Sequence, residues 1–193
     1  RIAKAQTAPL DRARAALKLV QQDVRYIYVG LNAGNLTPVS ADQTWQRRYG
    51  DCKGKTVLLL ALLRELGVEA EPVLINSSGD DGLDQHLPIP QFFDHVLVRA
   101  RIDGATYWLD GTLPPVARPS DRPVFAVDWG LPLTAQGSPL ERLPPRGLET
   151  PDEINLFEID ARGGFDKPAR IVSTRIVRGV AGLQEQLQFS TVT

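Results

Sequence analysis

The sequence has one cysteine, two histidines and no methionine among its 193 residues. A single cysteine excludes an internal disulfide and any zinc site built from several thiolates, and we expect neither a bound metal nor a cofactor. The longest apolar run covers residues 57–63. It is far shorter than the roughly 20 residues that span a bilayer, so we expect no transmembrane segment. The missing methionine and the first residue, Arg1, indicate a piece of a longer protein.

A strong charge of either sign is also absent. The 22 basic and 23 acidic side chains leave a net charge of −1 at neutral pH, which gives no reason to expect a polyanionic partner. We therefore predict that the protein does not bind nucleic acid. Hydrophobic residues make up 42% and charged residues 23% of the chain. This composition is typical of a globular protein rather than a disordered chain or a coiled coil.

The first 112 residues show alternating helix and strand patterns. Hydrophobic periodicity predicts helices over residues 9–25 and 51–66, and Asp51 is suited to cap the second of them. Strand-forming runs follow, separated by a long polar loop and by the strong hairpin signal Asp103-Gly104, at residues 68–75, 92–102 and 105–109. We assign residues 1–112 to one mixed α and β core.

The rest of the chain differs in composition. Residues 113–151 contain nine prolines and predict an irregular connection that wraps the surface of the core rather than contributing to it. Residues 152–193 predict another hairpin, around Arg162-Gly163-Gly164, and then a helix. We interpret this last part as the truncated start of a β-rich C-terminal unit.

Cys52 opens the strongest predicted helix. The helix dipole and the unpaired backbone N–H groups at that end favour a thiolate, and Lys53 and Lys55 add positive potential. These are conditions that make a thiol nucleophilic. The same N–H groups can stabilise an oxyanion, and Gly54 leaves room for a substrate carbonyl. The position of Cys52 at a helix start is equally consistent with a small buried residue that has no chemical role.

The predicted hairpin brings a histidine and an aspartate together. A two-residue turn at Asp103-Gly104 places Leu97 opposite Asp110. Since side chains alternate along a strand, His95 lies on the same face as Leu97 and becomes a diagonal neighbour of Asp110. An acid in that position fixes the tautomer of the imidazole, as a catalytic triad requires. A structural histidine and a turn-forming aspartate are the alternative, and a slip of one residue would separate the two.

Three motifs resemble the bacterial transglutaminase-like core: Tyr49-Gly-Asp-Cys-Lys-Gly-Lys55, Phe93-Asp-His95 and Tyr107-Trp-Leu-Asp110. The resemblance covers about residues 10–112 and is nearest to the subgroup that follows a domain of unknown function called DUF3857. It implies an α+β, papain-like fold in which a cysteine-bearing helix packs on an antiparallel β-sheet, followed by a β-rich C-terminal segment. One mild departure is Gly111, which stands where the family usually has proline.

The same resemblance implies roles for three residues. Cys52 is the nucleophile, His95 the general base and acid, and Asp110 the orienting group. The implied function is a cysteine enzyme that acts on amide or peptide bonds through a thioester, with hydrolysis slightly favoured over crosslinking. A protein or peptide substrate, a periplasmic or exported location and neighbouring β domains of the parent chain are implied as well.

Two other readings remain open. One is a non-catalytic binding or assembly module of the cell envelope that retains the fold. The other is a different acyltransferase with the same triad, such as an arylamine N-acetyltransferase, although the sequence shows no sign of an acyl-CoA pocket. A cleft closed over Cys52 would favour the binding module.

The second donor of the oxyanion hole is also open. Gln46 stands six residues before Cys52, which is the spacing of the papain-type donor, but an exposed helical glutamine is the plain alternative. Eukaryotic transglutaminases use an upstream tryptophan that lies further away than Trp45. The remaining candidates are Trp45, Tyr26 and Tyr28.

Overall fold

A computed structural model of the chain describes residues 2–28, 37–78, 82–87, 89–115, 117–120, 122–125, 127–144 and 151–190. The chain forms two compact units, Arg1–Arg146 and Gly147–Thr193. No helix in the described part of the chain combines the length and the apolar character that crossing a membrane requires.

The first unit contains, in chain order, α1 (Ile2–Ala5), α2 (Pro9–Asp23), β1 (Arg25–Tyr26), α3 (Ala41–Arg47), β2 (Tyr49–Gly50), α4 (Cys52–Glu65), β3 (Glu69–Ile75), β4 (His95–Ile102), β5 (Ala105–Leu109), β6 (Trp129–Pro132) and β7 (Glu141–Arg142). Short 3₁₀ turns cover Gly82–Gln85 and Pro90–Phe92 in the loop between β3 and β4. The two helices predicted in the core are α2 and α4, and both predictions are confirmed to within two residues at each end.

A five-stranded antiparallel sheet forms the centre of this unit, in the order β5-β4-β3-β6-β7. Helices α2 and α4 contribute to a buried core with alternate residues of β4 and β5, among them Leu17, Leu59, Leu63, Val98 and Leu109. The residues between them on those strands, such as Leu97 and Trp108, belong to a second buried cluster. Because strand side chains alternate, the two clusters lie on opposite faces of the sheet.

The hairpin between β4 and β5 has the predicted register. Asp103 and Gly104 both adopt a positive φ, 51° and 80°, as a two-residue turn of this kind requires. Ile102 then pairs with Ala105, and the pairing continues to Val98 and Leu109. The turn therefore places His95 and Asp110 at the same end of the sheet.

The expectation of an irregular connection over residues 113–151 is wrong for the strands β6 and β7, which extend the central sheet. β6 pairs with β3 through Val73–Pro132 and Leu74–Leu131. A methyl group placed on Gly130 would lie 2.7 Å from a methyl of Val73, so only glycine permits this close approach of the strands. The prolines interrupt the stretch without preventing a short strand, because Pro132 lies at the strand end.

The second unit contains β8 (Glu153–Asp160), β9 (Arg170–Val177) and α5 (Gly179–Ser190). The two strands form a continuous antiparallel hairpin, from the pair Glu153–Val177 to the pair Asp160–Arg170. The hairpin and the following helix agree with the sequence pattern. Several large apolar side chains of the hairpin are exposed to solvent: Leu156, Phe157, Ile159 and Ile171.

Candidate active site

Cys52 is the first helical residue of α4, and the residue before it fixes the start of the helix. The Asp51 carboxylate accepts a hydrogen bond from the Gly54 N–H through Oδ1 at 2.9 Å, and its Oδ2 pairs with the Lys53 ammonium. Asp51 is therefore a helix cap, as the sequence predicts. The side chain of Cys52 points into the protein, and the residue is only 8% exposed.

The turn before Cys52 is packed closely against α3. Thr44 of α3 is fully buried. A methyl group on Gly50 or Gly54 would lie 3.1 or 3.2 Å from the Thr44 side chain, so a larger residue at either position would press on Thr44. The two glycines on either side of Cys52 thus allow the helix start to lie directly on its neighbour.

A short parallel pairing connects the same turn to β1. The Arg25 N–H donates to the Arg48 carbonyl at 2.8 Å, and the Ile27 N–H donates to the Gly50 carbonyl at 3.0 Å. Tyr26 is thereby paired with Gly50, two residues before Cys52. This ladder holds Tyr26 beside the nucleophile candidate although the two are far apart in sequence.

His95 and Asp110 are in direct contact. The His95 Nε2 lies 2.8 Å from Oδ2 of Asp110, and both side chains are almost fully buried. The other carboxylate oxygen accepts hydrogen bonds from the N–H and the hydroxyl of Thr112, at 2.8 and 2.6 Å. The Gln21 amide donates to the Asp110 carbonyl at 3.0 Å. Asp110 is thus fixed at its carboxylate and at its backbone.

The charge of His95 depends on these neighbours. Burial lowers the pKa of His95, but its hydrogen bonds to Asp110 and to Cys52, and the negative charges of both, outweigh burial and raise it to about 10. Since Nε2 faces Asp110, Nδ1 is the ring nitrogen left for the thiol. At neutral pH this arrangement favours the imidazolium form of His95. The Phe125 ring packs edge-to-face with the imidazole, with the two ring centroids 5.2 Å apart.

The four candidates for the second oxyanion donor have different surroundings. Gln46 is exposed on α3, and Tyr28 is 74% exposed. Trp45 packs against the core, and the guanidinium of Arg48 lies 3.4 Å from the centre of its ring. Tyr26 is the candidate whose pKa is affected by charged groups of the site. Burial, and then the charges of Cys52 and Asp51, raise the pKa of Tyr26 to about 12.

Two residues that contact Asp110, Thr112 and Gln21, are not among the predicted site residues. Thr112 follows Asp110 by two positions, and an aspartate that bonds the backbone two residues on is a recognisable turn signal. Gln21 lies 89 residues before Asp110, and nothing local distinguishes it from other polar residues of α2. The first contact could be read from the sequence, whereas the second depends on how α2 packs.

Two solved structures resemble this chain. A candidate protease from Parabacteroides distasonis matches with a TM-score of 0.58 and 15% identity, over 74% of this chain and 26% of that protein. A candidate cysteine protease from Cytophaga hutchinsonii matches with a TM-score of 0.40 and 20% identity, over 86% of this chain and 43% of that protein. The chain therefore spans about a quarter of the first protein and under half of the second. The first match shows that the fold is the predicted α+β, papain-like one.

Sequence comparison identifies the family. No curated protein matches the chain. The family model for the transglutaminase-like superfamily matches residues 1–110, which is more than half of the chain and includes Cys52, His95 and Asp110. The chain therefore belongs to the transglutaminase-like superfamily.

Proposed function

We propose that the protein is a papain-like cysteine enzyme that acts on amide or peptide bonds, with Cys52 as nucleophile, His95 as general base and acid, and Asp110 as the orienting group. The observation that supports this most directly is the buried hydrogen-bonded series from Cys52 through His95 to Asp110. A nucleophile, a base within reach of it and a third group that orients the base define this kind of site.

The proposed reaction has two stages. The Cys52 thiolate attacks the carbonyl carbon, and the electron pair of the carbonyl moves to its oxygen. Collapse of this oxyanion breaks the C–N bond, the His95 imidazolium gives its proton to the leaving amine, and a thioester remains. Water or an amine then attacks the thioester while His95 removes its proton. The thiolate leaves, and the imidazolium is restored.

We propose two donors for the oxyanion. The first N–H groups of a helix have no partner within the helix, so the Cys52 N–H at the start of α4 is one. Tyr26 is the other, because the ladder to Gly50 places it beside Cys52. With a pKa of about 12, its phenol keeps its proton over the working pH range and can donate a hydrogen bond.

Hydrolysis is proposed over crosslinking, with a protein or peptide as substrate. The support is indirect: the Parabacteroides distasonis protein of the same fold is described as a candidate protease. A periplasmic or exported location, the presence of neighbouring β domains and membership of the DUF3857-associated subgroup rest on the sequence motifs alone. Acyl transfer proceeds through the same thioester as hydrolysis. The two reactions differ only in whether an amine or water attacks that thioester.

One observation favours the alternative of a non-catalytic envelope module. Cys52 is only 8% exposed, so a substrate carbonyl needs a local opening to reach the sulfur. A module that keeps the fold for binding would retain such a closed cleft. The reactivity of the thiol separates the two proposals.

The test is the rate at which iodoacetamide alkylates Cys52, measured against pH in the wild type and in His95→Ala. For an enzyme we expect a wild-type midpoint well below the ordinary thiol value of about 8.5, and a higher midpoint without His95. An ordinary midpoint that does not respond to His95 would contradict the proposal and favour the binding module. Fluorescein-labelled casein, with or without dansylcadaverine, then separates hydrolysis from transfer, and Cys52→Ala is the control for both.

A further inference from the structure

Lys55 is a buried lysine one helical turn after Cys52. It is only 2% exposed, whereas lysine is among the side chains that are rarely buried without a partner. Its ammonium donates a hydrogen bond to the Val24 carbonyl at the end of α2. Its stem lies beside the residue that follows Asp110, because a methyl group placed on Gly111 would be 3.7 Å from the Lys55 Cβ.

The charged surroundings of Lys55 are dominated by Asp110. Burial lowers the pKa of Lys55 to about 8, while the negative charge of Asp110 opposes the change, so the ammonium keeps its proton at neutral pH. From the end of α2 it faces a neutral group, the Val24 carbonyl. The other titratable groups at the start of α4 are Cys52, Lys53 and the capping residue Asp51. His95 on β4 contacts Asp110, and Tyr26 on β1 is paired with Gly50.

In the thiolate–imidazolium form of the proposed mechanism, the cluster of Cys52, His95 and Asp110 requires a second positive charge beside it. With Cys52 as thiolate, His95 as imidazolium and Asp110 as carboxylate, the three groups have a net charge of −1. An uncompensated charge in a buried site is strongly unfavourable. Lys53 is already paired with Asp51. Among the lysines and arginines that the structure describes, Lys55 is the one that is buried, and the charge of Asp110 acts on it.

We propose that Lys55 is a positioning residue of the active site, whose buried ammonium balances the negative charge of the cluster formed by Cys52, His95 and Asp110. This inference rests on the proposed function, because it concerns the thiolate–imidazolium form of the same site. The ammonium acts through Asp110 and contacts no substrate. A purely structural role, joining α2 to α4 through Val24, would affect stability but not the pH at which Cys52 becomes reactive.

The test compares the pH midpoint of Cys52 alkylation in Lys55→Met with that of the wild type. Methionine keeps the length of the apolar stem and removes the charge. We expect the midpoint to rise by about one pH unit, which is about tenfold slower alkylation below the midpoint. Lys53→Met is the matched control: the same change two residues away, at a more exposed ammonium, and we expect it to shift the midpoint by less than half as much.

Two results would overturn the inference in distinguishable ways. A folded Lys55→Met variant that reacts at a low, wild-type midpoint would refute the role of Lys55 and leave the Cys52–His95 pair standing. An ordinary midpoint in the wild type would refute the proposed function and the role of Lys55 together. An equal shift in Lys53→Met would also refute it, because a general loss of positive charge would then explain the result.

A second measurement serves if Lys55→Met does not fold. The titration of the Lys55 ammonium can be followed by NMR of its side chain in the wild type and in Asp110→Asn. We expect the titration midpoint of Lys55 to move downward in Asp110→Asn, because burial then acts without the opposing carboxylate. An unchanged midpoint would show that the two charges do not act on each other and would overturn the inference.

Discussion

Strand β4 contributes one residue to each of two charged clusters, and the two clusters differ in burial. At its first residue, His95 lies between Cys52 and Asp110, almost fully enclosed. Arg99, further along the strand, pairs with Glu71 of β3 at 2.9 Å and with Glu141 of β7 at 2.6 Å, and all three side chains are partly open to water.

The difference in burial determines whether water screens the charges of each cluster. Water screens the Arg99 charges, so the ion pairs link three strands with a modest net gain in stability. The enclosed groups at the sheet end cannot be screened, and the protonation of each therefore depends on the others. One strand thus combines a structural ion-pair network with a candidate reactive site, and burial separates the two roles.

Removing the hydroxyl of Tyr26, a partly exposed residue beside the enclosed site, should have the largest effect on activity. We expect Tyr26→Phe to lower kcat for p-nitrophenyl acetate about 100-fold, since an oxyanion donor is lost. Alkylation by iodoacetamide should be unchanged, because that reaction forms no oxyanion. Tyr28→Phe is the control, with kcat within about twofold of the wild type since that ring is mostly exposed. Full activity in Tyr26→Phe would exclude it as a donor.

The buried His95–Asp110 pair should make stability depend on pH, and Cys52→Ala isolates it. In that variant the thiol is absent and does not contribute to the pH dependence. The ordinary pKa of His95 is 6.5 and its folded value in the intact site is about 10. Below pH 6.5 the stabilisation is fully present, and above it the unfolded chain loses the proton first, so stability falls as the pH rises towards 10.

We expect the free energy of unfolding of Cys52→Ala to fall by about 2 kcal/mol between pH 6 and pH 9.5, measured by urea denaturation. The double variant Cys52→Ala/His95→Gln is the control and should lose clearly less over the same interval. Equal losses in the two proteins would show that the pair does not favour the imidazolium.

Substitutions in the Arg99 cluster should have the smallest effect, and they should change stability without changing the reactivity of Cys52. We expect Arg99→Met to lower the free energy of unfolding by about 1 kcal/mol and to leave alkylation of Cys52 unchanged. Arg101→Met removes a more exposed arginine, 3.9 Å from Glu69, and should be nearly neutral. If a folded Arg99→Met protein lost thiol reactivity, the separation of the two clusters along β4 would be wrong.

Local signals predicted the contact between His95 and Asp110. Asp103-Gly104 specifies a two-residue turn, the turn sets the register, and the register brings the two side chains to one end of the sheet. Each step depends on neighbouring residues, so no knowledge of the rest of the fold was needed. The start of α4 at Cys52 follows from Asp51 in the same way.

Contacts between distant segments were not predictable. The strand β6 exists because Gly130 lets it approach Val73, and the prolines around it obscured that possibility in the composition. The bond from Gln21 to Asp110 and the burial of Lys55 both depend on how α2 lies against α4. A single sequence shows which residues favour an element but not which distant element they will meet.

The ladder between Tyr26 and Gly50 has a consequence for the evolution of the site. Both proposed donors belong to one hydrogen-bonded piece of backbone, so they are positioned together whatever chain lies between them. The cost of closing a loop rises slowly with its length, by about 0.6 kcal/mol for each doubling. Relatives can therefore exchange or lengthen the segment that joins β1 to α3 while the reacting atoms keep their relative positions.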